Sequence, residues 1–178
     1  MKRRIPLFLL LVVAFCTRAV AQQVALKTNA LTWATTTPNL GVEVALGRRV
    51  TLDLEAAYNP WTFKNDRKMH CWLAQPEVKY WFCEKFEGHF LGLHAHAGQF
   101  FGGFHRRRYD GYLAGGGVAY GHHWILSPHW NVEARVGVGY ARLWYKESPR
   151  IACLKCQQQR HRNYVGPTEL GLSFVYIF

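Results

Sequence analysis

The sequence of 178 residues lacks an apolar run long enough for a membrane-spanning helix. Such a helix needs about 20 apolar residues, and the apolar run of residues 5–16 is followed by nothing that approaches this length. Charged residues are few, at 19%, whereas 49% of the residues are hydrophobic. These features exclude a polytopic helical membrane protein and a disordered chain, and the length suits one domain.

Residues 1–21 have the features of a signal peptide: a basic start, the apolar run, and small residues before an expected cleavage site at Gln22. A lipoprotein signal acylated at Cys16 is the alternative, but Phe15 stands where that site requires a small residue. We therefore expect an exported mature chain of residues 22–178, with 18 basic and 11 acidic residues.

No stretch of the mature chain repeats its apolar residues with the helical period of 3.6, and there is no internal repeat. Apolar residues instead alternate with polar or small residues in eight segments, which predicts eight β-strands. Residues 130–140 and 170–178 show the alternation clearly, and residues 24–32 show it weakly. Strands satisfy all of their backbone hydrogen bonds in a membrane only when they close into a barrel. We predict an all-β, eight-stranded antiparallel up-and-down transmembrane β-barrel in residues 22–178.

The two faces of the predicted strands differ in charge. The apolar face contains no Asp, Glu, Lys or Arg, and the other face carries glycines and ionisable residues. Glycines have little purpose on a solvated outer face, but they fit the narrow lumen of an eight-stranded barrel. Buried carboxylates must be paired, so we expect a lumen network of ion pairs, with a proton or ion path as the functional alternative. Its expected members are Lys27, Glu43, Asp53, Glu55, Glu77, Lys79, His94, His96, Glu133, Arg135 and Glu169.

The long connections between the predicted strands are basic. Residues 60–70, 99–110 and 143–163 carry net charges of +2, +2 and +4, and we expect them on the outer side of the membrane. They are predicted to attract lipopolysaccharide phosphates or an acidic partner, or simply to settle the barrel on anionic headgroups. Nucleic acid is not expected as a partner, because no recognition module is present. The candidate binding residues are Lys64, Arg67, Lys68, Arg106, Arg107, Arg108, Arg160 and Arg162.

Pro76 interrupts the fourth segment on its apolar face. Because proline cannot donate a hydrogen bond to a strand ladder, we expect a bulge or a register change there. Aromatic residues such as Trp130 and Tyr140 mark the two ends of the predicted strands, as in the girdles of membrane barrels.

Cys153 and Cys156 are predicted to form a local disulfide in an exported chain. A redox pair and half a zinc site are the alternatives, but no thioredoxin-like unit and no second close cysteine pair accompany them. Cys71 and Cys83 bracket one extended segment of about 40 Å, so they cannot bridge each other and one or both are expected to be free.

We expect no enzymatic activity, no cofactor and no metal. A lipid-modifying enzyme would need a serine beside a histidine, and the pattern places no histidine next to a serine. The pairs His94 and His96, and His122 and His123, suggest a metal only weakly, because histidines on a polar lumen face are more often structural. The available serines are Ser127, Ser148 and Ser173.

The C-terminal segment, residues 169–178, looks like the β-signal that the outer-membrane barrel-insertion machinery reads. Its matching positions are Gly171, Phe174, Tyr176 and Phe178. Together with residues 80–90, 121–126 and 163–168, this segment resembles a family of small exported Gram-negative barrels catalogued as a domain of unknown function. The similarity covers nearly the whole mature chain.

This resemblance implies integral location in the bacterial outer membrane, contact with its lipid and lipopolysaccharide, and insertion by the barrel machinery. Some members lie beside genes for surface fimbriae, which implies anchoring or assembly of surface structures and fimbrial or other cell-surface proteins as partners. The family supplies no catalytic residues. A lipid-modifying enzyme and a soluble periplasmic ligand-binding barrel are the alternatives.

Overall fold

The computed structural model describes the backbone of residues 23–60, 62–63, 67–104, 107–149 and 158–178. The predicted signal peptide and the predicted Cys153–Cys156 disulfide lie outside these residues. Within the described part, the elements are β1 (Val24–Asn29), α1 (Ala30–Ala34), β2 (Asn39–Ala45), β3 (Val50–Asn59), β4 (Thr62–Phe63), β5 (Arg67–Trp81), β6 (Gly88–Phe104), β7 (Arg107–Ile125), β8 (Trp130–Pro149) and β9 (Gln158–Ile177).

The sheet closes on itself. Each long strand pairs antiparallel with the next one along the chain, β3 pairs with β5, and β1 pairs with β9. The two-residue strand β4 pairs only with the start of β5 and lies outside the ring. The prediction of an eight-stranded antiparallel up-and-down barrel is confirmed. None of the described helices is long and apolar enough to cross a membrane.

In the middle of the barrel, ionisable side chains face the lumen and apolar side chains face outward. Lys79 and Glu133 on the inner face are fully buried, whereas Leu93 and Leu170 on the outer face are 67% and 66% exposed. A slip of one residue in any strand would exchange these faces, so the strong contrast between the two faces fixes the register.

Residues 30–32 are helical, and the predicted extension of the first strand to residue 32 is wrong. The side chain of Asn29 caps α1 by accepting a hydrogen bond from the backbone N–H of Leu31 at 3.0 Å. The hydroxyl of Thr32 donates to the backbone oxygen of Asn29 at 2.8 Å. These local bonds compete with the strand ladder, as short polar side chains commonly do at helix starts.

The register change predicted at Pro76 is not found there. The β5–β6 ladder omits Gln75 and Pro76, but the pairs on either side of them keep the same register, so the proline interrupts the ladder without shifting it. The irregularity lies at Pro167 instead, because Gly137 pairs with Glu169 and Val138 pairs with Pro167, which leaves Thr168 as an extra residue in β9. This bulge reverses which side chains of β9 face inward beyond it.

The long connections of the sequence prediction are largely strand. Strands β6 and β7 continue to residue 104 and from residue 107, and β8 and β9 continue to residue 149 and from residue 158. The expected loop character of residues 99–110 and 143–163 is therefore wrong for the described residues. It is also wrong for residues 62–63 and 67–70 of the predicted connection 60–70, which are strand. We call the end of the barrel that carries these extended hairpins the extension end, and the opposite end, with the turns at residues 46–49, 82–87 and 126–129, the turn end.

Gly139 allows β7 and β8 to approach each other closely. A Cβ at Gly139 would collide with the backbone oxygen of Gly116 and lie 2.7 Å from the Cα of Gly117. We expect Gly139→Ala to lower the free energy of unfolding by about 1–3 kcal/mol, as overpacking does. Gly47→Ala is the control, because nothing lies within 4 Å of the added atom. Equal urea midpoints for the two variants would contradict the close approach.

Candidate functional site

An aromatic plug closes the lumen at the turn end. Trp81 at the end of β5 and Phe90 in β6 are fully buried, with ring centroids 4.8 Å apart. Phe86, at a positive φ of 63° in the turn after β5, turns inward and lies 5.9 Å from the Trp81 ring. Sequence reasoning missed this plug, because Phe86 belongs to a turn and only its backbone conformation directs it into the barrel.

Above the plug, two lysines are held between three carboxylates. Nζ of Lys79 lies 2.7 Å from Oε2 of Glu133, 2.9 Å from Oε2 of Glu43 and 3.5 Å from Asp53. Nζ of Lys27 lies 3.2 Å from Glu133 and 3.4 Å from Glu43, and also pairs with Asp53. All five side chains are at most 1% exposed. Because solvent does not reach these groups, each lysine depends on its carboxylates for its charge to be tolerated.

The plug and the lysine layer are in contact. The indole N–H of Trp81 donates to the hydroxyl of Thr51 at 3.0 Å, and that hydroxyl donates to Oε1 of Glu43 at 2.5 Å. Nζ of Lys79 lies 4.5 Å above the ring of Phe90, within the range of a cation–π interaction. The apolar and charged layers therefore position each other.

Arg135 organises the next layer toward the extension end. Its guanidinium lies 3.2 Å from Asp53 and 3.4 Å from Glu77, and its Nε lies 2.8 Å from Oε1 of Glu169. It also pairs with Glu55. The guanidinium group thus pairs with carboxylates of β3, β5 and β9 at the same time, which its planar fork of N–H donors allows.

Long charged side chains of the lumen lie across from glycines. Lys27 pairs across the ladder with Gly41, and a Cβ there would lie 2.8 Å from the lysine Cγ. Arg135 pairs with Gly171, and a Cβ there would lie 2.8 Å from Nε of Arg135. The glycines that alternate with ionisable residues therefore leave the volume that the charged side chains fill. Further pairs of this kind are Lys79 with Gly92, His94 with Gly117, His96 with Gly115, and Glu169 with Gly137.

A cavity of about 470 Å³ occupies the lumen toward the extension end. Its wall is largely apolar, and His96, Gln75 and Thr168 supply polar groups. Tyr164 and Arg162 line it because the bulge at Thr168 turns this part of β9 inward. The volume lies in the range of small-molecule sites. The remaining lining residues are Leu73, Leu113, Ala141, Leu143 and Pro167.

The described part of the extension end also carries basic side chains. Arg160 and Arg162 are exposed in β9, and Arg142 and Lys146 are exposed in β8. The other candidate binding residues are placed less fully: Arg67, Lys68, Arg107 and Arg108 belong to the ends of β5 and β7 without described side chains, and Lys64 and Arg106 lie outside the described residues.

The histidine pairs of the sequence are arranged differently from each other. His94 and His96 both face the lumen, with ring centroids 5.7 Å apart. His123 is buried, whereas the half-buried His122 packs against Trp124 on the other face of β7, so the two neighbours do not share a site.

The serines and the cysteines are placed as follows. Ser173 is buried in the lumen, and Ser127 accepts a hydrogen bond from the backbone N–H of Trp130 at 3.0 Å in the turn between β7 and β8. Cys71 and Cys83 are free thiols. The side chain of Ser148 lies outside the described residues.

The fold and the lumen define a class: a closed eight-stranded up-and-down β-barrel with an ion-paired interior, a plugged turn end and an apolar exterior. The family model described as "Protein of unknown function (DUF3575)" matches residues 7–178, and the chain belongs to this family. This confirms the resemblance to a family catalogued as a domain of unknown function. The comparisons with curated proteins and with solved structures find no match.

Proposed function

We propose that this protein is an integral β-barrel of the bacterial outer membrane, without enzymatic activity, that anchors or assembles surface structures such as fimbriae at its extension end. The observation that carries the membrane part of the proposal is the inverted burial. Lys27 and Arg135 are buried, while the apolar side chains of the outer face are exposed. In water this arrangement would leave a large apolar surface unpaired, whereas in lipid both faces are satisfied.

Aromatic residues support the same setting. Trp130 and Tyr140, at the two ends of the apolar part of β8, are 56% and 43% exposed on the outer face. The separation of ten positions between them spans roughly 25 Å at ~3.3 Å per residue and ~40° tilt, which is the height of a membrane barrel's apolar band. The predicted insertion signal fits this face, since Phe174 and Phe178 are exposed.

The surface role is supported by the extended hairpins. Strands β8 and β9 each have 20 residues, twice the length that crosses a bilayer in a barrel of this kind. Because the plug and the lumen network fill the part of the barrel near the turn end, transport through the barrel is not favoured. The hairpins and their basic side chains therefore supply the surface for cell-surface proteins or lipopolysaccharide.

Removing the tip of the β8–β9 hairpin tests the surface role. Tyr145 pairs with Arg160, so a two-residue turn joining them removes the tip and leaves the ladder below intact. We expect the shortened protein to be inserted normally, with a loss of at least about tenfold in surface fimbriae by electron microscopy.

A matched pair of charge variants accompanies this deletion. Arg160→Gln with Arg162→Gln removes two charges at the extension end, and Arg48→Gln with Arg49→Gln removes two at the turn end. Only the first pair is expected to reduce surface structures. Unchanged fimbriae in the hairpin deletion and in a gene deletion would contradict the assembly role. This result would not bear on the membrane location, which has its own test.

The apolar cavity beside His96 favours a second candidate function, an outer-membrane lipid-modifying enzyme. That function predicts an altered lipid A pattern in a strain that carries His96→Ala. An unchanged pattern in this strain and in the gene deletion would exclude it.

A further inference from the structure

Three buried side chains from separate strands bring potential metal ligands together in the lumen. Glu77 of β5, His94 of β6 and Glu169 of β9 each offer one ligand atom, and these atoms lie within 4.8 Å of one another. No two of the three are close in sequence. They meet because the ladders place Glu77 opposite His94, and the barrel closure brings β9 across the lumen.

One potential ligand atom of this cluster has no partner, although the rest of its side chain is held. Oε1 of Glu77 is buried and has no hydrogen-bond partner among the described residues. Oε2 of Glu77 accepts from Arg135 at 3.4 Å, and Oε1 of Glu169 lies 2.8 Å from Nε of the same arginine. An unpaired polar atom in a buried site needs an explanation, and a bound ion or water molecule is one.

The ring of His94 is held in one orientation by contacts at both of its nitrogens. Its Nε2 lies 3.0 Å from the hydroxyl of Thr168, the extra residue of the β9 bulge. Its Nδ1 lies 2.9 Å from Oε2 of Glu169, a direct contact that a cation bound between the two groups would replace. Metal-binding histidines commonly donate the other ring N–H to a fixed partner, which sets the tautomer and the direction of the ligating nitrogen.

The charge of the lumen network also favours a cation. Six carboxylates face three permanent cations, Lys27, Lys79 and Arg135. Buried charges are tolerated when they are paired or bind metal ions. A divalent cation would reduce this excess of carboxylates over permanent cations.

We propose that Glu77, His94 and Glu169 bind a divalent transition-metal cation, for which Zn²⁺ is the probe. One imidazole nitrogen and two carboxylate oxygens suit zinc better than calcium or magnesium, which prefer oxygen alone. A cavity of about 170 Å³, lined in part by Glu169, Arg135 and Thr168, gives space beside the ligands for water and for entry of the ion. Arg135 and Thr168 are positioning residues that hold the ligands.

Metal titration of the full chain, purified in detergent and stripped with a chelator, tests the proposal. We expect about one equivalent of Zn²⁺ by calorimetry, a chelator-reversible rise in thermal stability, and d–d absorption bands from Co²⁺ in the same site. We expect Glu77→Gln, His94→Gln and Glu169→Gln each to weaken binding by more than ~100-fold. Thr168→Ala is expected to weaken it by ~10–100-fold, the usual effect of a partner behind a ligand.

Two controls separate this site from adventitious zinc binding. Glu87→Gln removes an exposed carboxylate in the turn after β5, outside the lumen network, and His122→Gln removes a histidine of the outer face. Both are expected to bind Zn²⁺ within about threefold of the unsubstituted chain. Heat-dependent migration in gels shows which variants are folded barrels. The stoichiometry is measured on the unsubstituted chain, so it does not depend on whether any variant folds. Binding far below one equivalent, or binding that survives all three ligand substitutions in folded protein, would overturn the proposal.

Discussion

Lys79→Met is expected to lower the free energy of unfolding by about 3–5 kcal/mol, the usual result of removing one partner from a buried ion pair. Lys79 is fully buried, 2.7 Å from Glu133 and 2.9 Å from Glu43. Its loss leaves three carboxylates in the lumen, those of Glu43, Asp53 and Glu133, with one cation fewer. Urea unfolding in lipid vesicles, followed by tryptophan fluorescence, measures the effect.

A compensating variant makes this prediction specific. Lys79→Met with Glu133→Gln removes one charge of each sign, so we expect it to recover at least half of the lost free energy. Lys146→Met removes a lysine exposed in β8 and is expected to leave the urea midpoint unchanged. If Lys79→Met behaved like Lys146→Met, the lumen network would not hold the barrel together.

Val136→Arg is expected to lower the free energy of unfolding in a bilayer by about 2–4 kcal/mol, because it places a cation on the apolar face near the middle of the band. Val136 lies between Trp130 and Tyr140 in β8 and is 50% exposed. For a soluble barrel the same substitution would add a charge to a solvated surface and change little, within about 0.5 kcal/mol.

Val165→Arg provides the depth control. Val165 pairs with Tyr140 at the aromatic end of the band, so the expected cost is only about 0–1 kcal/mol. Equal small effects of both substitutions, together with release of the protein by alkaline carbonate without detergent, would contradict the membrane location and favour a soluble barrel.

The lumen network also specifies which face of each strand turns inward. Buried ion networks are often no more stabilising than apolar packing of the same volume. In the proposed membrane setting, an apolar lumen would make the two faces of each strand alike, and a slip of one residue would cost little. Charged side chains such as Arg135 and Glu133 are tolerated only in the interior, and they therefore specify which face of the strand lies inside.

The sequence predicted local features well and long-range ones poorly. Alternation placed His94 and His96 on the lumen face, because the direction of a side chain in a strand depends only on position along it. The prediction at Pro76 was wrong, since a proline that interrupts a ladder does not require a bulge. The structure has its bulge at Thr168, where a register adjustment between β8 and β9 depends on the closure of the whole sheet.

The amino-acid sequence by itself determined the number of barrel strands, their antiparallel order and the face that each turns inward, because these follow from a period of two and from short connections. Only the tertiary structure decided which charges meet. Lys27 pairs with Glu133 across 106 residues of chain, and Glu77, His94 and Glu169 converge from three strands. The stagger of the closed barrel fixes such contacts, and no local pattern of residues encodes it.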